Sequence, residues 1–214
     1  MQNYFRSRDK MVQEQLMNRG IKDPRVLQAM GNVPRDLFVE SALADRAYDD
    51  EPLPIGNKQT ISQPYMVGLM TEALELRGGE KVLEIGSGSG YQTAVLAELC
   101  LNVFCVEKIR SLAAQARAVL DKLKYYNVAI HVGDGTLGWS DHAPFDAILI
   151  AAGSPSLPEP LVGQLSLGGK LVIPLGSEKS QILKRYRRTP SGLEEDNLGD
   201  CRFVKLLGRY GWPA

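Results

Sequence analysis

The sequence predicts an α/β domain built around a doubly wound, mostly parallel sheet, and three observations favour this fold class. From residue 81 onward, short apolar runs alternate with helical patterns, as in sheets whose parallel strands are joined by helices. The run over residues 145–151 is almost entirely apolar, which is typical of a strand covered on both faces. Between residues 82 and 91, a strand pattern turns into a helical pattern through three closely spaced glycines.

The first 60 residues predict a helical cap that lies outside this sheet. Apolar residues at helical spacing predict a helix over residues 7–19, and an Asp-Pro pair opens a second helix over residues 23–30. Residues 46–56 are rich in proline and acids, and they predict an ordered loop without regular structure. A longer helix is predicted over residues 64–76, because a Gly-Gly pair follows it.

The rest of the chain predicts the sheet and its ending. Strands are predicted near residues 81–86, 102–107, 128–133, 145–151 and 170–175, with helices near 91–100, 109–124 and 158–166. After Gly176 the pattern changes, and two strands near residues 181–189 and 200–207 predict an antiparallel carboxyl-terminal pair. We expect one domain over residues 1–214, composed of a cap (1–60), an α/β core (61–176) and the carboxyl-terminal strands (177–214).

Composition argues against several classes of protein. Lys plus Arg (25) balance Asp plus Glu (25), so no net field favours nucleic acid or an anionic membrane. No apolar run approaches the roughly 20 residues that span a bilayer, and the first ten residues lack the apolar core of a secretory signal. The three cysteines, Cys100, Cys105 and Cys201, show no Cys-x-x-Cys spacing and predict free thiols in a reducing cytosol. We expect a cytoplasmic protein, monomeric by default, with no metal, no membrane contact and no nucleic-acid partner.

The glycine-rich segment predicts a cofactor site of the nucleotide type. Gly86, Gly88 and Gly90 let the backbone approach a ligand without Cβ atoms in the way, and Ser87 lies between the first two. The helix that follows offers unpaired N–H groups at its amino terminus. The dinucleotide fingerprint would require a third glycine at position 91, which is Tyr91, so a dinucleotide is disfavoured.

Acids at three successive strand ends identify the predicted cofactor. Glu84 lies two residues before the first glycine, where a carboxylate would repel a pyrophosphate but would suit the amine and sulfonium of S-adenosylmethionine. Glu107 ends the next strand, where an acid accepts hydrogen bonds from ribose hydroxyls. Asp134 follows the third strand, within reach of an adenine amine. The predicted site also includes the adjacent residues Lys108 and Gly135.

With these motifs in hand, the chain resembles the protein-L-isoaspartate O-methyltransferase family. The segments that carry the resemblance are 48–56, 59–64, 84–91, 133–136, 168–176 and 202–204, so it extends over nearly the whole chain. Many methyltransferases share the glycine loop, whereas the Gln-Thr-Ile-Ser-x-Pro motif at 59–64 is much more specific. Lys205, where the family often has proline, and the pair Asn57-Lys58 depart from the family pattern.

The resemblance implies a Rossmann-like methyltransferase fold and a repair reaction. In this reaction the α-carboxylate of an L-isoaspartyl residue in a damaged protein attacks the methyl group of S-adenosylmethionine, and S-adenosyl-L-homocysteine is released. The ester then closes to a succinimide. The resemblance places the Ser62 hydroxyl at the substrate carboxylate and assigns peptide binding to Thr60, Ile61, Phe203 and Val204. A carboxylate is already ionised near neutral pH, so no general base is required.

Several alternatives remain open at the level of sequence. Ser62 could simply cap the helix that begins at Pro64, and Thr60 could serve packing. Glu107 and Asp134 could be solvated strand-end acids. The basic run over residues 184–188 fits a solvated strand face better than a nucleic-acid contact, given the zero net charge. For the whole chain, the alternatives are a methyltransferase of the same fold with a different acceptor and a non-catalytic cofactor-binding module.

Overall fold

A central sheet and the helices around it make up most of residues 4–213, the part of the chain that the structure, a computed structural model, describes. In chain order, the strands are β1 (Leu53–Pro54), β2 (Thr60–Ile61), β3 (Lys81–Ile85), β4 (Asn102–Glu107), β5 (Val128–Val132), β6 (Phe145–Ile150), β7 (Leu165–Gly176), β8 (Gln181–Thr189) and β9 (Gly192–Cys201). The α-helices are α1 (Phe5–Lys10), α2 (Pro24–Asn32), α3 (Pro64–Ala73), α4 (Tyr91–Ala97), α5 (Arg110–Lys122) and α6 (Glu159–Gly163).

The large sheet has the strand order β5-β4-β3-β6-β7-β8-β9. The strands from β5 to β7 pair in parallel, and β8 and β9 follow as antiparallel neighbours. The order reverses at β3, which lies between β4 and β6. Open α/β sheets bind ligands in the crevice at the carboxyl ends of the strands at such a point. The predicted fold class, including the antiparallel carboxyl-terminal strand pair, is confirmed.

Both faces of the sheet are covered, as the apolar strand patterns predict. Ile148, Leu149 and Ile150 of β6 are all completely buried. Successive side chains point to opposite faces, so Leu149 belongs to one apolar cluster and its two neighbours to the other. β6 is therefore a central strand, and it pairs with β3 up to Ile150, which lies opposite Ile85.

One strand lies elsewhere than the sequence predicts. The sequence pattern predicts the last strand near residues 200–207, but β9 covers Gly192–Cys201 and begins directly after the turn that ends β8. β9 is an edge strand with exposed polar side chains, so it lacks the apolar alternation that reveals a half-buried strand. The apolar residues after Cys201 are half-buried or, at Leu206, buried, but they form only isolated bridges, Lys205 with Gly153 and Leu207 with Trp212.

Two further boundaries differ from the sequence prediction. The proline-rich stretch over residues 46–56 contains β1, which pairs with β2 in a short antiparallel hairpin. β7 begins at Leu165, and the predicted helix over residues 158–166 is therefore only the short α6. In both places proline or glycine residues interrupt the apolar periodicity from which helices and strands are predicted.

The amino-terminal cap is helical, as predicted. Residues 5–19 form a continuous helical segment in which Met11–Leu16 is wound as a π-helix. α2 begins after Asp23, whose carboxylate accepts the Arg25 N–H at 2.9 Å. Buried residues of the cap join the same apolar cluster as α3 and α4, so the cap is anchored to the core. Within residues 4–213, no helix is long and apolar enough to cross a membrane.

The basic run over residues 184–188 lies on β8 and is paired with acids. Lys184 contacts Glu195 on β9 at 2.5 Å, and Arg185 contacts Asp196 on β9 and Glu75 at 2.7 Å each. These cross-strand pairs neutralise much of the run's charge. They support the interpretation of the run as a strand face.

Candidate active site

Two cavities meet at the carboxyl ends of β3, β4 and β6. The first, which we call the loop cavity, is lined by Gln59, Thr60, Ile85, Gly86, Gly88, Val106, Glu107, Lys108, Ile109, Leu112, Gly135, Ala151, Ala152, Val204, Lys205, Leu206 and Leu207. The second, the Ser62 cavity, is lined by Arg19, Pro52, Thr60, Ser62, Gln63, Tyr65, Met66, Ala151, Asp200, Cys201, Arg202, Phe203 and Val204. Thr60, Ala151 and Val204 line both, so the two cavities share a wall.

The glycine loop has the backbone geometry that its sequence predicts. Gly86, Gly88 and Gly90 all have positive φ values, of 85°, 53° and 89°. A Cβ atom on Gly90 would lie 3.0 Å from the Cβ of Ala116 in α5, and one on Gly88 would lie 3.3 Å from the Ile55 side chain. These glycines therefore allow both an unusual backbone and close packing around the loop.

The Glu107 carboxylate holds this loop through backbone hydrogen bonds. The Gly88 N–H donates to one of its carboxylate oxygens at 2.9 Å, and the Ile109 N–H donates to the other at 2.8 Å. The side chain is buried yet lines the loop cavity. Each carboxylate oxygen keeps a further lone pair, which is what a ribose diol requires. Lys108 lines the same cavity, and its Nζ donates to the Leu207 carbonyl at 3.3 Å.

Glu84 lies beneath the loop and not in the lining of the cavity. It is completely buried, with Thr93 Oγ1 at 2.6 Å and Cys105 Sγ at 3.1 Å from Oε2. Burial raises the pKa of Glu84 to about 7, although hydrogen bonds from Thr93 and Cys105 oppose the shift. A role beside the amine of a cofactor stays a prediction.

Asp134 is engaged by the chain itself. One of its oxygens accepts hydrogen bonds from Thr136, and the other accepts the Arg209 N–H at 2.8 Å. Burial acts against ionisation, but these hydrogen bonds hold the pKa of Asp134 below its ordinary value. The neighbouring Gly135 lines the loop cavity, whereas Asp134 does not. The predicted contact with an adenine amine would use a lone pair that these donors leave free.

The residues around the loop fit a polar nucleoside ligand such as S-adenosylmethionine. Ser87 Oγ is a buried polar atom of the loop itself, and it finds no hydrogen-bond partner within residues 4–213. A buried hydroxyl is costly to leave unpaired. Its position in the glycine loop, together with the lone pairs that the Glu107 carboxylate keeps free in the cavity lining, suits a ligand that carries hydroxyl and amine donors.

Ser62 lies between β2 and α3, with its side chain at the second cavity. The N-cap residue of α3 is Gln63, and no side chain makes a capping hydrogen bond there, so the capping interpretation of Ser62 is wrong. The Ser62 carbonyl accepts a hydrogen bond from Arg35 at 2.8 Å. The hydroxyl is half-buried and is available to a ligand in this cavity.

The four residues predicted to hold a peptide occupy different positions. Thr60, Phe203 and Val204 line the Ser62 cavity, whereas Ile61 is buried in the apolar core and is absent from the lining. Ile61 is opposite Leu53 in the β1–β2 hairpin, which directs its side chain inward. Only its backbone remains for a peptide contact. The Phe203 N–H already donates to Gln181 Oε1 at 2.7 Å.

Sequence reasoning missed residues from the first helical segment and from the end of β6. Arg19 lies at the Ser62 cavity, 3.6 Å from the ring centre of Tyr65 and 2.5 Å from an Asp50 oxygen. Nothing in the helical pattern distinguishes Arg19 from any exposed arginine, because its position at the cavity depends on where the first helical segment packs. The sequence pattern indicates only that Ala151 ends a strand. The structure shows that it lines both cavities.

Comparison with known proteins decides the family. The family profile described as protein-L-isoaspartate(D-aspartate) O-methyltransferase matches residues 6–211. The chain belongs to this family. The resemblance found in the sequence is thereby confirmed. A protein-L-isoaspartate O-methyltransferase of Syntrophus aciditrophicus is 57% identical over 217 residues, which cover 100% of both chains.

Solved structures of protein-L-isoaspartate methyltransferases have the same fold. One structure named protein-L-isoaspartate O-methyltransferase has a TM-score of 0.87 and 28% identity, covering 95% of this chain and 67% of its own. Another, from Plasmodium falciparum and described as a complex with S-adenosyl-L-homocysteine, has a TM-score of 0.82 and 29% identity, covering 94% and 98%. The Rossmann-like methyltransferase fold implied by the resemblance is confirmed.

Proposed function

We propose that this protein transfers a methyl group from S-adenosylmethionine to the α-carboxylate of L-isoaspartyl residues in damaged peptides and proteins. Family membership supports the reaction, and one observation in this chain carries it. Thr60, Ala151 and Val204 form a common wall between the loop cavity and the Ser62 cavity. Because the two cavities adjoin at these three residues, a methyl donor in the loop cavity and a carboxylate acceptor in the Ser62 cavity would be close enough for in-line displacement.

The loop cavity would hold the methyl donor. The glycine loop, Ser87, Glu107, Lys108 and Gly135 would bind its nucleoside and methionine parts, with Glu84 and Asp134 acting from the surrounding shell. S-adenosylmethionine, when bound, supplies an electrophilic methyl group and leaves as S-adenosyl-L-homocysteine. Glu107 orients the ribose by accepting hydrogen bonds from its hydroxyls, and it also keeps the loop in place through the Gly88 N–H.

The Ser62 cavity would hold the acceptor. Because a carboxylate is ionised near neutral pH, the chain has to align it and partly dehydrate it, and no proton need be removed. The Ser62 hydroxyl donates a hydrogen bond to one carboxylate oxygen and leaves the other facing the methyl group. Thr60 and Val204, together with the backbone of Ile61 and the ring of Phe203, hold the peptide in an extended form.

The setting of the reaction is part of the same proposal. We propose that the protein acts as a monomer in the cytoplasm, without a metal ion and without nucleic acid as a partner. Its zero formal net charge and the acid-paired basic run on β8 support the absence of a nucleic-acid role.

The decisive experiment compares two peptides that differ only in one linkage. Purified protein is incubated with radiolabelled S-adenosylmethionine and either an L-isoaspartyl peptide or its L-aspartyl isomer. We expect label only in the isoaspartyl peptide, as a base-labile ester. Absence of transfer to any isoaspartyl peptide would overturn the proposal. If another class of acceptor were labelled, this would indicate a methyltransferase of the same fold with a different substrate, and cofactor binding without any transfer would indicate a binding module.

A further inference from the structure

Arg35 is a completely buried arginine that belongs to neither cavity. It begins a short 3₁₀-helix over Arg35–Phe38, between α2 and the β1–β2 hairpin. No carboxylate among residues 4–213 lies within ion-pair distance of its guanidinium. Burying a charge without a counter-ion is costly, so the contacts of the guanidinium should indicate the role of Arg35.

The guanidinium joins three segments that are distant in sequence. Its Nε donates to the Ala47 carbonyl at 2.6 Å, and Nη2 donates to the Ser62 carbonyl at 2.8 Å. Its central carbon lies 4.7 Å from the ring centre of Tyr91. Tyr91 is the first residue of α4 and directly follows the last glycine of the loop. A single planar group therefore contacts the loop before β1, the acceptor segment and the helix of the donor loop.

The groups that Arg35 touches are themselves held by further contacts. Phe38, one turn along from Arg35, packs edge-on against the Tyr91 ring with 5.6 Å between ring centres. Tyr48, the residue after Ala47, donates a hydrogen bond from its hydroxyl to Asp36 at 2.5 Å. Nη1 of Arg35 is buried and finds no hydrogen-bond partner within residues 4–213, so the contacts of Arg35 are those of Nε, Nη2 and the ring of Tyr91. The fork geometry of arginine, which lysine lacks, allows two carbonyls to be held at a defined separation.

We propose that Arg35 is a positioning residue for methyl transfer, which fixes the Ser62 backbone relative to α4 and so places the Ser62 hydroxyl against the acceptor carboxylate. The inference rests on the proposed role of Ser62. It gives the 3₁₀-helix over Arg35–Phe38 a part in the reaction, although the Arg35 side chain lines neither cavity. Arg35 touches no reacting atom, and it acts only through the backbone it holds.

Arg35→Lys tests the proposal, with Arg117→Lys as the matched control. Arg117 also donates to two backbone carbonyls, those of Val128 at 2.8 Å and Tyr125 at 3.1 Å, but it lies away from both cavities. We expect Arg35→Lys to lower kcat/KM for an isoaspartyl peptide about tenfold, because a small displacement of a positioning group is costly in rate. Affinity for S-adenosyl-L-homocysteine should change less than about twofold, since the loop cavity is intact. Arg117→Lys should leave both quantities unchanged.

A double-mutant cycle separates positioning from a general loss of packing. If Arg35 acts through Ser62, Arg35→Lys should have almost no further effect on kcat/KM in a Ser62→Ala background. A full tenfold loss in that background, or wild-type kinetics for Arg35→Lys, would overturn the inference. Wild-type protein without isoaspartyl transfer would instead refute the proposed function, and an inert Ser62→Ala exchange would refute the role of Ser62.

A second variant covers the case in which Arg35→Lys does not fold. Arg35→Gln removes the buried charge and its desolvation cost, and it can still donate one hydrogen bond. We expect this variant to fold and to lose kcat/KM at least as strongly as Arg35→Lys, with unchanged S-adenosyl-L-homocysteine affinity. Loss of the fold in both variants would assign Arg35 to the core alone and refute the positioning role.

Discussion

At the scale of single residues, Glu84 shows how burial changes the meaning of an acid in a strand. Its position before the glycines indicates a direct ligand contact, but the strand directs the side chain into the core beside Thr93 and Cys105. With one oxygen unpaired within residues 4–213 and a pKa raised to about 7, the protonated form is favoured over a wide pH range. Glu84 should therefore contribute to the dependence of stability on pH.

Glu84→Gln should flatten the dependence of stability on pH. The ordinary pKa of 4.5 applies to the unfolded chain and about 7 to the folded one. Between these values the folded protein holds a proton that the unfolded chain has released, so stability falls as pH rises through this window and then levels off. In urea unfolding of the wild type, the free energy of unfolding should fall between pH 5 and pH 7. We expect this fall to be smaller by about 2–3 kcal/mol in the variant. Equal falls in variant and wild type would show that Glu84 titrates normally.

Ser62→Ala should impair the acceptor and leave the donor unaffected. A hydrogen bond to a charged group contributes about 1.5–3 kcal/mol, so kcat/KM for an isoaspartyl peptide should fall roughly tenfold to a hundredfold. Calorimetric affinity for S-adenosyl-L-homocysteine should be unchanged, because Ser62 does not line the loop cavity. Ser166→Ala is a suitable control, since Ser166 is remote from both cavities and only donates to Asp146 at 3.2 Å. Unaltered turnover in Ser62→Ala would remove Ser62 from the mechanism.

At the scale of elements, the junction between the glycine loop and α4 depends on a close approach to α5. Gly90 has a φ of 89° and is the N-cap residue of α4. The small side chain of Ala116 faces it from α5, which lets the two helices come together. The loop's position is therefore set by α5 packing as much as by the loop's own residues.

Gly90→Ala should destabilise this junction. The left-handed backbone alone costs about 1–2 kcal/mol for an L-residue, and the contact with Ala116 adds to it. We expect a lower thermal midpoint together with weaker S-adenosyl-L-homocysteine binding. Gly79→Ala is the matched control, because a Cβ atom on Gly79 would meet no heavy atom within 4 Å and its φ is not left-handed. Retained ligand affinity in Gly90→Ala would show that the loop tolerates a shift of α4.

At the scale of the whole molecule, the carboxyl-terminal segment closes one side of the loop cavity. Leu206 and Leu207 line that cavity, and the segment is held by the Arg209 N–H on Asp134 and by Trp212 Nε1 on the Gly153 carbonyl at 3.1 Å. Asp134 thus connects the end of β5 to the end of the chain. The wall of the cavity depends on contacts between segments about 75 residues apart.

Asp134→Ala should release this segment. We expect trypsin to cleave after Arg209 faster than in the wild type, without added ligand, because the Arg209 N–H loses its acceptor. Asp134 is the N-cap residue of a 3₁₀-helix over Gly135–Leu137 and accepts the Thr136 N–H at 2.9 Å. Asp23→Ala is the control, since Asp23 likewise caps a helix through a backbone N–H at 2.9 Å but is far from this segment. Loss of either cap should cost about 1 kcal/mol, yet only Asp134→Ala should free the backbone at Arg209, whose side chain is already exposed. Equal cleavage in the two variants would show that Asp134 does not hold the segment.

Much of the fold is readable from sequence because its signals are local. The positions of β3, β4 and β6 follow from apolar runs, and the turn into α4 follows from glycine spacing. The sequence misplaces the edge strand β9, because a polar strand exposed on its faces carries no alternating pattern. It also misses the hairpin of β1 and β2, since these two-residue strands are too short to show periodicity.

The sequence by itself determined the sheet, the glycine loop and the family, because each depends on neighbouring residues or on a motif, and it supplied the cofactor-binding residues as predictions. The tertiary structure decided which side chains face the cavities: it directs Glu84 and Ile61 into the core, and it brings Arg19 to the Ser62 cavity. It also placed Arg35 behind Ser62. These outcomes depend on side-chain direction and on the docking of distant segments, which local spacing does not encode.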